Sequence, residues 1–175
     1  MAGETILINR APVLALWASV VAERLGSSRD EALSLGKAVT GLNAQSKGQR
    51  LGICEKREER RVKREERKAG PADVVEMMGR EIPVVRTPEG IRAVVKGAPI
   101  SAESTQAYLE SKFGEHLAAV RAAMEELARS QKPDVLVARA FALYAQFRPQ
   151  IPEGVKGWGA KGELDLELIL SLGKR

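Results

Sequence analysis

Cysteine, histidine and aromatic residues are nearly missing from this chain. Its 175 residues include one Cys, one His, two Trp, two Tyr and three Phe. With Cys54 alone, no internal disulfide can form, which fits a reducing compartment. Cys54 has no histidine near it in sequence, and nothing has the spacing of a zinc site. Aspartate is also scarce: Asp30, Asp73, Asp134 and Asp165 are all there are. Asp30 and Asp134 stand where helices should start, and Asp165 alternates with Glu167 as on the solvent face of a strand. His116 sits beside Glu115 in an amphipathic stretch and reads as a surface or half-buried helix residue. No nucleophile elbow, dinucleotide fingerprint or phosphate-binding P-loop is present. The sequence therefore offers no catalytic residue, metal ligand or cofactor site, and no small-molecule ligand is expected. It also lacks an apolar run long enough to span a bilayer and a secretory leader at Met1–Glu4. A soluble, cytoplasmic protein with no membrane partner is the expectation.

What the chain does have is aliphatic. Hydrophobic residues make up 44% and aromatics 4%, so a core must be built from Leu, Val, Ile and Ala. Thr5 to Asn9 is a short β-rich run. Pro12 then suits a first helical turn, and Val13, Leu14, Leu16, Trp17, Val20, Val21 and Leu25 give a broad apolar face closed by Gly26. The pattern predicts a buried helix over 12–25. Ser28-Arg29-Asp30-Glu31 has capping-box spacing and predicts a second helix over about 29–45. Gly36 and Gly41 weaken that helix, which implies close approach of a neighbouring one. Residues 43–53 read as a loop or broken helix.

A short helix is expected over 72–79. Two β-branched runs around Pro88-Glu89-Gly90 predict a hairpin over 82–97. A long helix should start at Ser101 and run to about Ser130, with Tyr108, Leu109, Phe113, Leu117, Val120, Met124 and Leu127 as its stripe. Pro133-Asp134 should begin another, over 135–147. Leu164, Leu166 and Leu168 alternate as in a strand, with a terminal helix as the competing reading; a strand there could pair with 5–9 and join the termini. The expected fold is mainly α, with about five helices and a small antiparallel β element made of the hairpin and, if they pair, the terminal strands. Residues 1–54 would form a helical lobe, 55–70 a charged connecting helix and 71–175 an α+β lobe, all within one domain or two.

Two stretches, Arg10–Gly26 (RAPVLALWASVVAERLG) and Phe147–Leu166 (FRPQIPEGVKGWGAKGELDL), resemble segments of an uncharacterised bacterial protein family. The resemblance implies a bacterial cytosolic origin. It carries no fold, activity or site residue with it.

Charge is where the sequence is most uneven. The net charge is +5. Residues 55–68 read EKREERRVKREERK: eight basic, five acidic, one apolar. With Lys37, Lys47 and Arg50, the segment 36–68 holds eleven basic residues against five Glu and carries +6, so it accounts for the whole net charge. Clustered Lys and Arg are the footprint of a phosphate-backbone binder, and the planar Arg fork suits phosphate. The five interspersed Glu fit a solvated charged helix as well. The weak phosphate-loop pattern Ser46–Gly52 reads better as a polar turn. A helix-turn-helix over 12–45 has a suitable turn, but its first helix is too apolar to cross DNA.

These features point to a non-enzymatic, sequence-nonspecific nucleic-acid-binding protein. The primary contacts would be Lys37, Lys47, Arg50, Arg57, Arg60, Arg61 and Arg64. Arg86, Arg92 and Lys96 on the hairpin, and Lys156 and Lys161 in the glycine-rich tail, would be secondary; Trp158 between those lysines reads as a packing anchor. The second reading is a structural module that assembles as a homo-oligomer through the apolar helices 12–25 and 135–147.

Overall fold

A computed structural model describes residues 5–50, 73–78, 80–88, 90–95, 98–149 and 161–173. The chain is mainly α-helical with small antiparallel sheets. Strand β1 (Thr5–Asn9) runs directly into α1 (Arg10–Arg24), followed by α2 (Arg29–Arg50). Strands β2 (Asp73–Met77), β3 (Arg80–Thr87), β4 (Gly90–Val95) and β5 (Ala98–Pro99) come next. Helix α3 (Ala102–Phe113), a 3-10 turn over Gly114–His116, α4 (Leu117–Arg129) and α5 (Pro133–Phe147) follow, then β6 (Lys161–Asp165) and α6 (Leu166–Leu172). The charged stretch 55–68, Cys54 and Trp158 lie outside the described residues.

Helix α1 is apolar on every side, and a helix of that kind must be enclosed. Every residue from Pro12 to Ala22 is buried. Its neighbours are α2, α3, α4 and α5. Trp17 anchors it: the indole Nε1 donates to Ala140 O at 2.8 Å, and its ring meets Phe147 edge-on, with centroids 5.3 Å apart. That bond matters because a buried indole N–H without an acceptor would cost about 1–3 kcal/mol. Gly26, at φ +113°, takes the left-handed turn that ends the helix.

The capping box at the start of α2 forms in full. Ser28 N donates to Glu31 Oε1 at 3.0 Å, and Glu31 N donates to Ser28 Oγ at 3.2 Å. One of the two glycines has the role expected of it. A Cβ on Gly36 would lie 2.5 Å from Ala15 O and 3.0 Å from Ser19 N, so α1 and α2 touch backbone to backbone there. Gly41 has nothing within 4 Å of that position; no neighbour explains it.

Strands β1 and β6 pair antiparallel, with Ile6 opposite Leu164 and Asn9 opposite Lys161. The termini are thus joined as the alternation suggested. Ile6, Ile8 and Leu164 point into the core, while Leu7 is 66% exposed. The other sheet has the order β2-β3-β4-β5. Its hairpin closes at Thr87 opposite Gly90, where Gly90 has φ +119°. Ile82, Val84 and Ala93 are its buried face, which packs on α2.

Four expectations are corrected. Residues 73–77 form a strand instead of a helix, because Asp73 to Met77 find a full register against Val84 to Arg80. Helix α2 continues to Arg50, so 46–50 is helical and neither a turn nor a phosphate loop. The long helix from Ser101 breaks at Gly114, whose φ of +56° no α-helix can hold. The tail is both strand and helix. Asp165 is the last residue of β6, opposite Thr5, and also caps α6, accepting from Glu167 N at 3.0 Å and Leu168 N at 3.4 Å; Glu167 lies in the helix and does not alternate with it on a strand.

Candidate functional site

Helix α2 organises the described part of the basic region. Its first turns are fixed from three sides. Ala32 to Gly36 and Ala38 to Thr40 are buried. The fully buried Ser34 hydroxyl donates to Ile100 O at 2.7 Å and accepts from Ala93 N at 2.8 Å, stitching the helix to β4 and to the segment after β5. Glu31 adds a second stitch, its Oε2 accepting from Ile91 N at 2.9 Å. The N–H bonds from Ile91 and Ser28 hold the Glu31 carboxyl below its ordinary pKa. In the sequence Ser34 reads as an ordinary helix residue and Glu31 only as the capping-box partner of Ser28. Their partners lie about sixty positions away, and only the fold brings them together.

Lys37 stands at the edge of this anchored part. It is half-buried, with Nζ 3.7 Å from the centroid of the Tyr108 ring. A cation over an aromatic face is attracted by the ring quadrupole. Burial, with a smaller contribution from Lys112, lowers the Lys37 pKa, and burial raises that of Tyr108. The structure therefore sets Lys37 beside a second lysine, Lys112 of α3, which no pattern in the sequence marks. Lys47 and Arg50 lie on the last turns of α2, with side chains outside the described residues. Arg57, Arg60, Arg61, Arg64, Lys96 and Lys156 also lie outside them.

The remaining candidates separate. Arg86 is exposed on β3 and interacts with another group of the chain. Arg92 is held back: its side chain is 11% exposed, with Nη2 3.9 Å from Asp30 Oδ2 and Nη1 donating to Ile91 O at 2.9 Å. Most of its charge is used inside the chain. Lys161 is exposed on β6, in the other sheet, paired with Asn9.

Among the described residues, no group of three or more His, Cys, Asp or Glu is placed to hold a metal ion. His116 Nε2 lies 3.9 Å from Glu115 Oε1. A groove of about 230 Å³ runs between α1, β2 and α5, lined by Val21, Leu25, Met77, Met78, Val137 and Ala140, with Glu76 as its one charged member. Acid–base chemistry needs titratable groups that converge on one point, and this groove has a single carboxylate. No helix of the described residues is long and apolar enough to cross a membrane.

Comparison with protein-family models, with curated proteins and with solved structures finds no match to this chain.

Proposed function

We propose that this is a non-enzymatic, sequence-nonspecific nucleic-acid-binding protein that works in the cytoplasm. The observation that carries this reading is the localisation of charge: 36–68 holds +6 in a chain whose net charge is +5. Helix α2 gives that charge a rigid root, since its first half is buried against α1 and stitched to β4. Lys37 and Lys112 extend the basic character onto α3. Phosphate neutralisation releases counterions, so binding of this kind must weaken steeply with salt.

The test is fluorescence anisotropy with labelled duplex DNA, single-stranded DNA and RNA across a salt series. Binding to duplex should show a log–log slope of about −0.9 per phosphate neutralised. Changing Lys47, Arg50, Arg57, Arg60 and Arg61 to Glu should abolish it. Absence of binding at low salt, or binding indifferent to salt, refutes the reading.

A second reading is self-assembly, favoured by one specific observation. Leu25, Val137 and Phe141 are 39%, 60% and 40% exposed beside the apolar groove. Helix α1 itself cannot serve as an interface, because the chain's own core surrounds it from Pro12 to Ala22; the outer side of α5 is what remains. Mass in solution decides. A strict monomer at high concentration rules assembly out, and a dimer broken by Val137→Glu supports it.

A further inference from the structure

We infer that the free edge of β2, with the groove beside it, is a docking site for an extended peptide segment of a partner protein, one with apolar residues at alternate positions and a Lys or Arg between them. Strand β2 is the outer strand of the β2-β3-β4-β5 sheet. Met77 opposes Arg80 with two positions between them, so these two form a hydrogen-bonded pair. The alternation of an antiparallel ladder then turns the N–H and C=O groups of Val74 and Glu76 away from β3. Among the described residues nothing hydrogen-bonds to them. The opposite side of the sheet is closed. Strand β5 is two residues long and ends in Pro99, and Glu31 and Ser34 of α2 accept from Ile91 N and Ala93 N of β4. Strand β2 has none of the devices that blunt an edge: its five residues include no Lys and no Pro, and its register against β3 is unbroken.

The groove lies along the same rim. Glu76 and Met77 both line it, although successive side chains of a strand point to opposite faces. A cavity touching both runs past the rim of the sheet and not over one of its faces. Its other walls are Val21 and Leu25 of α1 and Val137 and Ala140 of α5, all apolar. A segment that pairs with β2 gains main-chain hydrogen bonds from the edge. It lays every second side chain in the groove and turns the others outward beside Val74 and Glu76. Val74 is 46% exposed and suits an apolar neighbour. Glu76 is exposed and is the groove's one charged residue. It stands directly opposite Glu81, and like charges in that position destabilise a sheet. Glu81 interacts with another group of the chain, whereas Glu76 has no hydrogen bond or ion pair among the described residues. A Lys or Arg of the incoming segment supplies the complement that Glu76 lacks. A second copy of β2 would instead bring another Glu76 and Glu81 to the same edge, so charge opposes self-pairing there.

This site is independent of the nucleic-acid reading, and its test involves no DNA. A library of random peptides displayed on phage is panned against the full chain. The enriched peptides are synthesised with a fluorophore and titrated by anisotropy. They should carry apolar residues at every second position with a Lys or Arg between them. Val74→Pro removes an N–H that none of the described residues uses, at an edge position that tolerates proline. It should weaken those peptides by about tenfold or more. Glu76→Lys should weaken them as well and shift enrichment toward acidic peptides. Melting temperatures show whether the variants are folded; if Val74→Pro is not, Glu76→Lys carries the test. No enrichment, enriched peptides without the alternation, or binding that both variants leave unchanged overturns the docking site. A chain that is dimeric in solution and becomes monomeric with Val74→Pro assigns the edge to a second copy and overturns the peptide partner.

Discussion

Replacing Gly36 by alanine tests whether α1 and α2 are locked backbone to backbone. The added methyl would sit 2.5 Å from Ala15 O, 3.0 Å from Ser19 N and 3.2 Å from Ser19 Cβ. Two of these atoms belong to the main chain of α1 and cannot rotate away. Helix α1 has no slack to retreat, because α3, α4 and α5 enclose its other sides. Overpacking of a tight core costs about 1–3 kcal/mol, and a backbone clash belongs at the upper end. Alanine's better helix propensity returns about 1 kcal/mol. The expected net loss is about 2 kcal/mol, or a fall of roughly 4–8 °C in Tm for a chain of this size. Gly41→Ala is the internal control. It lies on the same helix with open space around it, so the propensity term acts alone and Tm should rise by about 2–4 °C. Urea melts followed by circular dichroism would read both as shifts in midpoint at unchanged slope. A Gly36→Ala chain as stable as the wild type would refute the close crossing of α1 and α2.

Two further predictions concern titrating groups. The Glu31 carboxylate accepts N–H bonds from Ser28 and Ile91, so Glu31→Gln should cost about 1–2 kcal/mol near neutral pH. Its folded pKa lies below the ordinary 4.5, so its contribution is complete above that pH and is lost as pH falls through the folded value. The gap between wild type and Glu31→Gln in urea melts should therefore close in acid; a gap that stays constant contradicts the double clasp. Burial pushes the Tyr144 phenol up to about 12, against a smaller opposing effect of Arg148 and Arg10. An unfolded phenol loses its proton near about 10, so folding stability should fall as pH rises from about 10 toward 12. Tyr108 and Tyr144 are the chain's two tyrosines. The rise of their absorbance near about 295 nm should come at higher pH in the folded chain than in urea, because burial raises both phenols above an ordinary value of about 10. A folded-state midpoint at about 10 for Tyr144 would show that its phenol is not buried as described.

The parts of the fold that are legible in the sequence are those where one local signal is unopposed. Helix α1 is apolar all round, and only burial suits that pattern. Ser28 and Glu31 cap α2 as their spacing requires, and Pro133 opens α5. The illegible parts are those where a short pattern fits two periods. Val74, Val75 and Met78 suit one helical turn as well as a strand; β3 decides the matter by offering a complete register, which no local window contains. The apolar stripe from Tyr108 to Leu127 runs unbroken across Gly114, so the change of helix there leaves no mark in the hydrophobic pattern. Charge behaves in the same way. Its total and position along the chain are visible in the sequence, whereas its availability is not. Arg92 and Lys37 read as equal candidates, yet Asp30 holds one and Tyr108 supports the other.

The same division between core and charge decides how cleanly the proposed function can be tested. The described core is built mostly from aliphatic and small residues of β1, α1, α2, β2 to β4, α3 to α6 and β6, with Trp17, Phe113, Tyr144 and Phe147 among them. Residues 55–68 include a single apolar residue, Val62, so they have little apolar surface with which to stabilise a core at about 25 cal/mol per Å². Basic side chains in that segment should therefore be replaceable without loss of the fold. Arg57→Glu/Arg60→Glu/Arg61→Glu should melt within about 2 °C of the wild type, since surface substitutions change stability by about 0.5 kcal/mol or less. It should nevertheless lose most of its affinity for DNA. A large drop in Tm would mean that the segment is part of the packed structure, and weakened binding would then say nothing about phosphate recognition. An unchanged Tm with unchanged binding would remove the basic segment from the interface altogether.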